Sequence, residues 1–135
     1  MSMSNTTEND ILKAMLVGTD PSWRADVTHY IALHTADPGE AGTATTSEAT
    51  YTSYARVAVT RATAWTDGGS TFSNAALIQF PQATGGTNAI THFSVVTTSS
   101  GAGQILVSGA LSATLNVTSG IQPQFAIGEL DVTAD

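Results

Sequence analysis

The side chains best suited to chemistry in this sequence are three histidines and a few carboxylates. Two of the histidines, His29 and His34, lie within residues 28–35, whose alternating pattern predicts a β-strand. Residues five apart in a strand face opposite sides, so these two imidazoles cannot share one metal ion. Asp37 and Glu40 are close together, but they flank a Pro-Gly turn, where solvated or capping carboxylates are common.

Other arrangements typical of enzymes are missing from the sequence. There is no Gly-x-Ser-x-Gly motif to present a serine nucleophile. The glycine pairs at 68–69 and 85–86 precede no predicted helix, as a phosphate-binding loop would require. The stretch Asp67-Gly68-Gly69 lacks the ligand spacing of a calcium loop. We therefore expect a protein that is not an enzyme and that binds no metal or cofactor.

Aromatic residues provide a second kind of candidate site. Trp23, Tyr51, Tyr54 and Trp65 lie in or beside predicted loops and strand ends. Such side chains combine a large apolar surface with a polar group, so they could contact a sugar or a protein partner. The alternative is that they anchor loops to the core.

Charge and composition exclude several classes of partner. The chain of 135 residues has 4 Lys or Arg against 11 Asp or Glu, a net charge of −7, and no cysteine. Its scattered cations cannot form the basic patch that binds nucleic acid or an anionic membrane. No apolar run approaches the roughly 20 residues of a membrane-spanning helix. Residues 1–10 lack a secretory signal pattern, so we expect a protein made in the cytoplasm.

A short amphipathic helix is predicted over residues 6–18, with an N-cap at Asn5, Thr6 or Thr7. Its apolar positions recur at helical spacing and are Ile11, Leu12, Met15 and Leu16. A helix of about three turns is too short to persist alone in water, so its apolar side must pack against its own domain or a partner.

The rest of the sequence predicts β-structure, because short alternating segments are separated by Gly, Ser, Pro and Asn turns. There is no room for helical crossovers, so the strands must be antiparallel. We predict an all-β fold: an antiparallel β-sandwich or jelly roll of about seven or eight strands with a short N-terminal α-helix. One domain is expected over residues 1–135, with the helical segment at 1–20 and the sandwich at 28–135.

The period-two pattern also predicts individual strands and the core. Separate strands are expected at 104–111 and 112–118, a last strand at 122–133, and a surface loop at 39–53. Since cations are few, Arg56 and Arg61 are expected to make charge-assisted contacts with carboxylates, within the chain or across an interface; the alternative is a solvated arginine on the outer face of a strand. The predicted core residues are Ile31, Leu33, Val57, Val59, Phe72, Ile78, Phe80, Phe93, Val95, Leu106, Leu115, Phe125 and Ile127.

Several segments, in this order, resemble one family of small tailed-bacteriophage virion proteins. They are YIALHTADPGEAGT from Tyr30, YARVAVT from Tyr54, a following Trp, FSNAALIQFPQATGG from Phe72 and ITHFSVV from Ile90. Members of this family are labelled tail fibre proteins, head fibre proteins or capsid decoration (cement) proteins. The resemblance covers nearly the whole chain and supplies no catalytic motif.

The resemblance implies a structural protein of the virion, made in the host cytoplasm. We expect capsid decoration: a cement protein on the capsid surface that binds the major capsid protein and forms a homo-oligomer, a dimer or trimer. The alternative is a tail or fibre-associated virion protein that contacts a host receptor or glycan. The helix or the 39–53 loop is expected to supply part of the contact, and the candidate residues are Ile11, Leu12, Met15, Trp23, Tyr51 and Tyr54.

Overall fold

A computed structural model describes residues 2–133. Residues 1, 134 and 135, at the ends of the predicted domain, lie outside the described residues. The elements in chain order are β1 (Ser2–Met3), α1 (Asn5–Leu16), a 3₁₀ turn (Ser22–Ala25), β2 (Thr28–His34), β3 (Val57–Thr60), β4 (Trp65–Asp67), β5 (Thr71–Asn74), β6 (Ile78–Gln79), β7 (Asn88–Val96), β8 (Ile105–Val117), β9 (Gln124–Phe125) and β10 (Asp131–Thr133).

The strands form antiparallel sheets in a sandwich-like arrangement, as predicted. A five-stranded sheet has the order β1-β8-β7-β2-β3, a three-stranded sheet has the order β10-β5-β4, and β6 pairs with β9. The described residues form ten strands, more than the seven or eight predicted. β1 and β4 were not predicted, and two predicted strands are interrupted. The segment after β5 breaks before β6, and the predicted last strand splits into β9 and β10.

The main hydrophobic core lies between one face of the five-stranded sheet and the two smaller sheets. Ile31 and Leu33 of β2 contribute to it from the large sheet, and Phe80 and Phe125 contribute from the opposite side. A second, smaller cluster on the other face of the large sheet contains Ala32, Ala44, Val96 and Ile105. Alternation along β2 therefore directs side chains into both clusters.

Eight of the predicted core residues are buried: Ile31, Leu33, Val59, Ile78, Phe80, Phe93, Val95 and Phe125. Val57, Leu106 and Leu115 are only half-buried and pack against the core. Phe72 and Ile127 were predicted wrongly, since they are 39% and 70% exposed. Phe72 lines an open cleft between the sheets, and Ile127 lies in the turn between β9 and β10, where alternation does not apply.

Two boundaries also differ from the prediction, and β7 contains an irregularity. The helix is capped by Ser4, whose side chain accepts a hydrogen bond from the Thr7 N–H, so the N-cap precedes Asn5. The predicted strands 104–111 and 112–118 are one continuous strand, β8, which contains an irregularity. In β7, a register shift after Ile90 moves this residue to the main core, the side that Phe93 also faces.

The 39–53 loop is fixed to the sheet by backbone hydrogen bonds. Ala44 N–H donates to Gly103 O at 2.9 Å, and Ala49 N–H donates to Leu33 O at 2.8 Å. Both alanine side chains are buried. The loop is therefore an ordered part of the fold and covers the second hydrophobic cluster.

Candidate functional site

Two of the predicted contact residues, Leu12 and Met15, are large apolar side chains on the exposed side of α1. Leu12 and Met15 are 52% and 70% exposed. They continue into Leu16 and Val17, which are 77% and 72% exposed. We call these four residues the helix patch. A cluster of this kind on a small protein is typical of a surface that a partner covers.

Polar contacts, rather than the helix patch, hold α1 on the sheet. Thr7 is buried, and its hydroxyl donates to the Ile105 carbonyl oxygen at 2.9 Å. The Gln104 side-chain amide donates to Asp10 Oδ2 at 3.0 Å. These bonds fasten the first half of the helix to the start of β8, and the patch on its second half points to solvent.

Trp23 lies beside the helix patch and extends the apolar surface. Its indole N–H donates to Asp10 Oδ2 at 3.0 Å, and the Arg61 guanidinium lies 6.0 Å from its ring centroid. Ile11, Met15 and Trp23 line one shallow depression of about 240 Å³. The structure thus brings three of the six predicted contact residues together, with Leu12 on the same helix.

Tyr51 and Tyr54 do not join this surface. Tyr51 is 2% exposed, and its hydroxyl donates to the Pro81 carbonyl oxygen at 2.9 Å. Burial raises the pKa of its phenol to about 12. Tyr54 is half-buried and packs edge-on against Tyr51, with ring centroids 5.4 Å apart. The structure places both side chains in the core, as anchors of the neighbouring loop, so they do not form an exposed contact site.

A buried polar cluster lies next to these tyrosines. The Arg56 side chain is 2% exposed and donates to both carboxylate oxygens of Glu48, at 2.7 and 2.9 Å. Its other donors reach the carbonyl oxygen and hydroxyl of Thr98 and the Gly101 carbonyl oxygen. Tyr54 donates to Glu48 at 3.0 Å and accepts the Leu33 N–H at 3.1 Å. We call Glu48, Tyr54 and Arg56 the polar clamp, since they join the 39–53 loop to the β7–β8 turn.

Among residues 2–133, Arg56 has the expected carboxylate partner and Arg61 has none. The hydrogen bond to Glu48 is the largest of the effects that raise the pKa of the Arg56 guanidinium. Arg61 instead donates to backbone carbonyl oxygens, those of Trp23, Arg24 and Asp26. Its role is to hold the segment before β2 against the end of β3.

The histidines lie where the strand alternation predicted, on opposite faces of β2. His34 is buried, with Nδ1 2.8 Å from the Thr46 carbonyl oxygen and Nε2 2.7 Å from Ser94 Oγ. His29 is also buried, and burial lowers the pKa of both imidazoles. Across residues 2–133, no group of three or more His, Cys, Asp or Glu side chains could hold a metal ion. No helix there has the length and hydrophobicity to cross a membrane.

A family model described as podophage GP4 fiber I protein gp80 matches residues 2–133. The chain belongs to this gp80 family. A comparison with curated proteins gives no significant match.

Membership of the gp80 family confirms the predicted resemblance to small tailed-phage virion proteins, and it makes the chain a structural protein of the virion. The family description names a fibre protein, so it fits the fibre alternative better than capsid decoration. The sequence patterns did not show that β8, beyond its pairing with β1 at Val107 and Ser108, has an outer edge with no neighbouring strand among the described residues. A signal was available, because residues 68–128 contain no Asp, Glu, Lys or Arg.

Proposed function

We propose that the protein is a fibre-associated structural component of a podophage virion, and that the helix patch attaches it to another virion protein. The family match supports the fibre location. The observation that carries the attachment site is the exposure of Leu12, Met15, Leu16 and Val17 at 52–77%. The fold does not need these side chains, because α1 is already fixed by Ser4, Thr7 and Asp10.

The proposed attachment is an apolar contact rather than an electrostatic one. The four patch residues are uncharged, and one cation, Lys13, adjoins them in a chain of net charge −7. Exposed charge pairs would contribute little there. Burying leucine and methionine side chains contributes roughly 1.5–3 kcal/mol each. A groove or apolar helix surface on the neighbouring fibre or tail protein would suit this patch.

The experiment is to complement a phage that lacks this gene with the wild-type chain or with the L12S/M15S/L16S variant, and to purify the virions. Quantitative mass spectrometry then measures the number of copies per particle, and cryo-electron microscopy shows their location. We expect the wild-type chain at the tail in few copies and the triple variant absent from particles. The control is Ile127→Ser, which replaces a side chain 70% exposed, as Met15 is, outside the helix.

The same experiment separates the fibre role from capsid decoration. A decoration protein bound to the major capsid protein would occur in hundreds of copies over the shell, and that result would contradict the fibre proposal. Full incorporation of a folded triple variant would contradict the helix patch as the attachment site. A receptor or glycan role requires a separate binding measurement, because Tyr51 and Tyr54 are not exposed for such a contact.

A further inference from the structure

The middle of β8 is not fully paired with the neighbouring strand β7. In the pairing with β7, Ile90 lies opposite Leu115 and His92 lies opposite Ala110. Residues 111–114 of β8 therefore have only Thr91 across from them and no register partner. This irregularity lies on the β7 side of β8, across the strand from its outer edge.

The outer edge of β8 is open over the same segment. Among the described residues, the only strand on that side is β1, which pairs with Val107 and Ser108. From Gly109 to Val117, the end of β8, no strand within residues 2–133 covers the outer edge, so its backbone N–H and C=O groups face no neighbouring strand. The middle residue of this open edge is Ala113. No Lys or Pro, which commonly protect an exposed edge, occurs in it.

The sequence of this edge is symmetric about its middle residue. Leu111 and Leu115 are equally distant from Ala113, and so are Ser112 and Thr114. An antiparallel pair of two identical strands centred there would place leucine opposite leucine and serine opposite threonine. Cross-strand pairs of these kinds stabilise antiparallel sheets.

We propose that the open edge of β8 binds the β8 edge of a second copy of this chain, antiparallel about a two-fold axis at Ala113. The two five-stranded sheets would then continue across the contact. Leu111 would face Leu115 of the second copy, and Ser112 would face its Thr114. This inference rests on the proposed structural role and identifies the interface of the expected homo-oligomer.

The environment of the edge fits this pairing. Leu111 and Leu115 are half-buried and pack against the main core, and Ser112 and Thr114 are exposed on the opposite side. A groove of about 450 Å³ runs beside Ala110–Leu115 on the core side. Pairing would join the grooves of the two copies and bury more of the surface of Leu111 and Leu115. Ser112 and Thr114, on the other face of the strand, would remain in water.

Charge favours this edge for contact between two copies that each carry net charge −7. The whole of β8 lies within the charge-free residues 68–128, so its edges approach each other without carboxylates. Glu129 and Asp131 line the groove behind the edge, where Glu129 accepts the Ala126 N–H and Asp131 accepts the Ser73 hydroxyl. Because salt screens these carboxylates and the net charge, we expect association to strengthen with ionic strength.

The contact is short, so the dimer in solution should be weak. An edge from Gly109 to Val117 cannot reach the standard interface area of about 1,600 Å². Attachment of both copies to one virion structure would raise their effective concentration and compensate for the low affinity.

The experiment is sedimentation equilibrium of the full chain over a range of about 5–500 µM, at low and high salt. We expect a concentration-dependent dimer for the wild-type chain. The S112K/T114K variant should weaken it at least about tenfold, because lysines then oppose lysines. The S112E/T114K variant should restore it, since each glutamate would face a lysine of the second copy. A62K/T63K, in an exposed turn after β3, is the control for added positive charge.

Three outcomes would overturn the proposal: a wild-type chain that is monomeric throughout the range, a dimer that the double-lysine variant leaves unchanged, or failure of the glutamate-lysine variant to restore it. Circular dichroism establishes that each variant is folded. L12S/M15S/L16S should still dimerise although it fails to enter virions. Loss of dimerisation in that variant would instead move the self-association site to the helix.

Discussion

The polar clamp and the open edge of β8 differ in whether their hydrogen-bonding groups have partners within the chain. In the clamp, each donor of the Arg56 guanidinium finds an acceptor within the chain. Along the outer edge of β8, Gly109 to Val117 have no neighbouring strand among the described residues. The first arrangement stabilises the isolated fold, and the second leaves hydrogen bonds for another chain to complete. The polar clamp therefore stabilises the monomer, whereas the proposed contact between copies uses a different part of the molecule.

The charges follow the same division. All Asp, Glu, Lys and Arg residues lie in 1–67 and 129–135. The first of these segments contains the clamp and the helix patch, while the charge-free segment contains β7 and β8. A protein with net charge −7 can remain soluble through its charged segments and still present a surface on which copies do not repel.

The largest expected effect comes from breaking the clamp. Arg56→Ala should lower the free energy of unfolding by about 3–5 kcal/mol, because it leaves the Glu48 carboxylate, 16% exposed, without its charged partner. Urea denaturation measures the loss. The control is Arg24→Ala: the Arg24 and Asp20 side chains are 61% and 63% exposed, so that loss should be under about 1 kcal/mol. Equal losses in the two variants would contradict the role assigned to the clamp.

The second prediction concerns the buried hydrogen bonds of Asn74, which lies in the charge-free segment 68–128. Asn74 is 1% exposed, its side-chain amide donates to Ala76 O and Ala126 O, and its Oδ1 accepts the Leu130 N–H. Asn74→Ala should cost about 2–3 kcal/mol, because it leaves buried backbone groups unpaired. Urea denaturation of Gln79→Ala, an exposed control, should show almost no change. A loss below about 0.5 kcal/mol in Asn74→Ala would mean that water replaces these bonds.

Sequence patterns predicted the fold class and most of the core because both depend on local alternation. His29 and His34 on opposite faces of β2, and the burial of Ile31 and Leu33, follow directly from the period of a strand. Phe72 and Ile127 were misplaced because alternation cannot show where a strand stops pairing or whether a second layer covers it.

The interaction surfaces were only partly predictable. The apolar side of the helix could be predicted from its spacing, but the sequence left open whether its own domain or a partner covers that side. Tyr51 and Tyr54 were ambiguous, since an aromatic residue in a loop sequence can be a contact or an anchor, and only the tertiary contacts decide. The open β8 edge depends on the pairing of β1 with Val107 and Ser108 alone, which no local pattern shows, although the absence of charge from 68–128 pointed to the region.

The third prediction concerns pH and the buried histidines. Burial lowers the pKa of His34 below 6.5, against the opposing effects of Thr46 O and Glu48 and with smaller contributions from Arg56 and His92. Since the unfolded chain then binds the proton more readily, stability is complete above pH 6.5 and falls as the pH drops toward the folded-state pKa. Each such histidine adds at most about 1.4 kcal/mol per pH unit. Urea denaturation between pH 7.5 and 5 should show this slope.

Substitution separates the histidines that contribute to this slope. His34→Gln should reduce the loss of stability on acidification, whatever its effect at neutral pH, because it removes one group with a lowered pKa. Gln79→Ala, an exposed substitution that removes no titratable group, is the control and should keep the wild-type slope. An unchanged slope in His34→Gln would show that other groups dominate the acid response.

The smallest expected effect on stability belongs to the edge. Ser112 and Thr114 are exposed, and neither hydroxyl is needed to pair β8 within the chain, so S112K/T114K should change the free energy of unfolding of the dilute protein by no more than about 0.5 kcal/mol. At high concentration the two proteins should differ, because a dimer stabilises the wild-type fold by mass action. Thermal denaturation should therefore show a Tm that rises with concentration in the wild-type chain and stays constant in the variant. A loss of several kcal/mol at low concentration would mean that the β8 edge supports the monomer, and the contrast with the polar clamp would disappear.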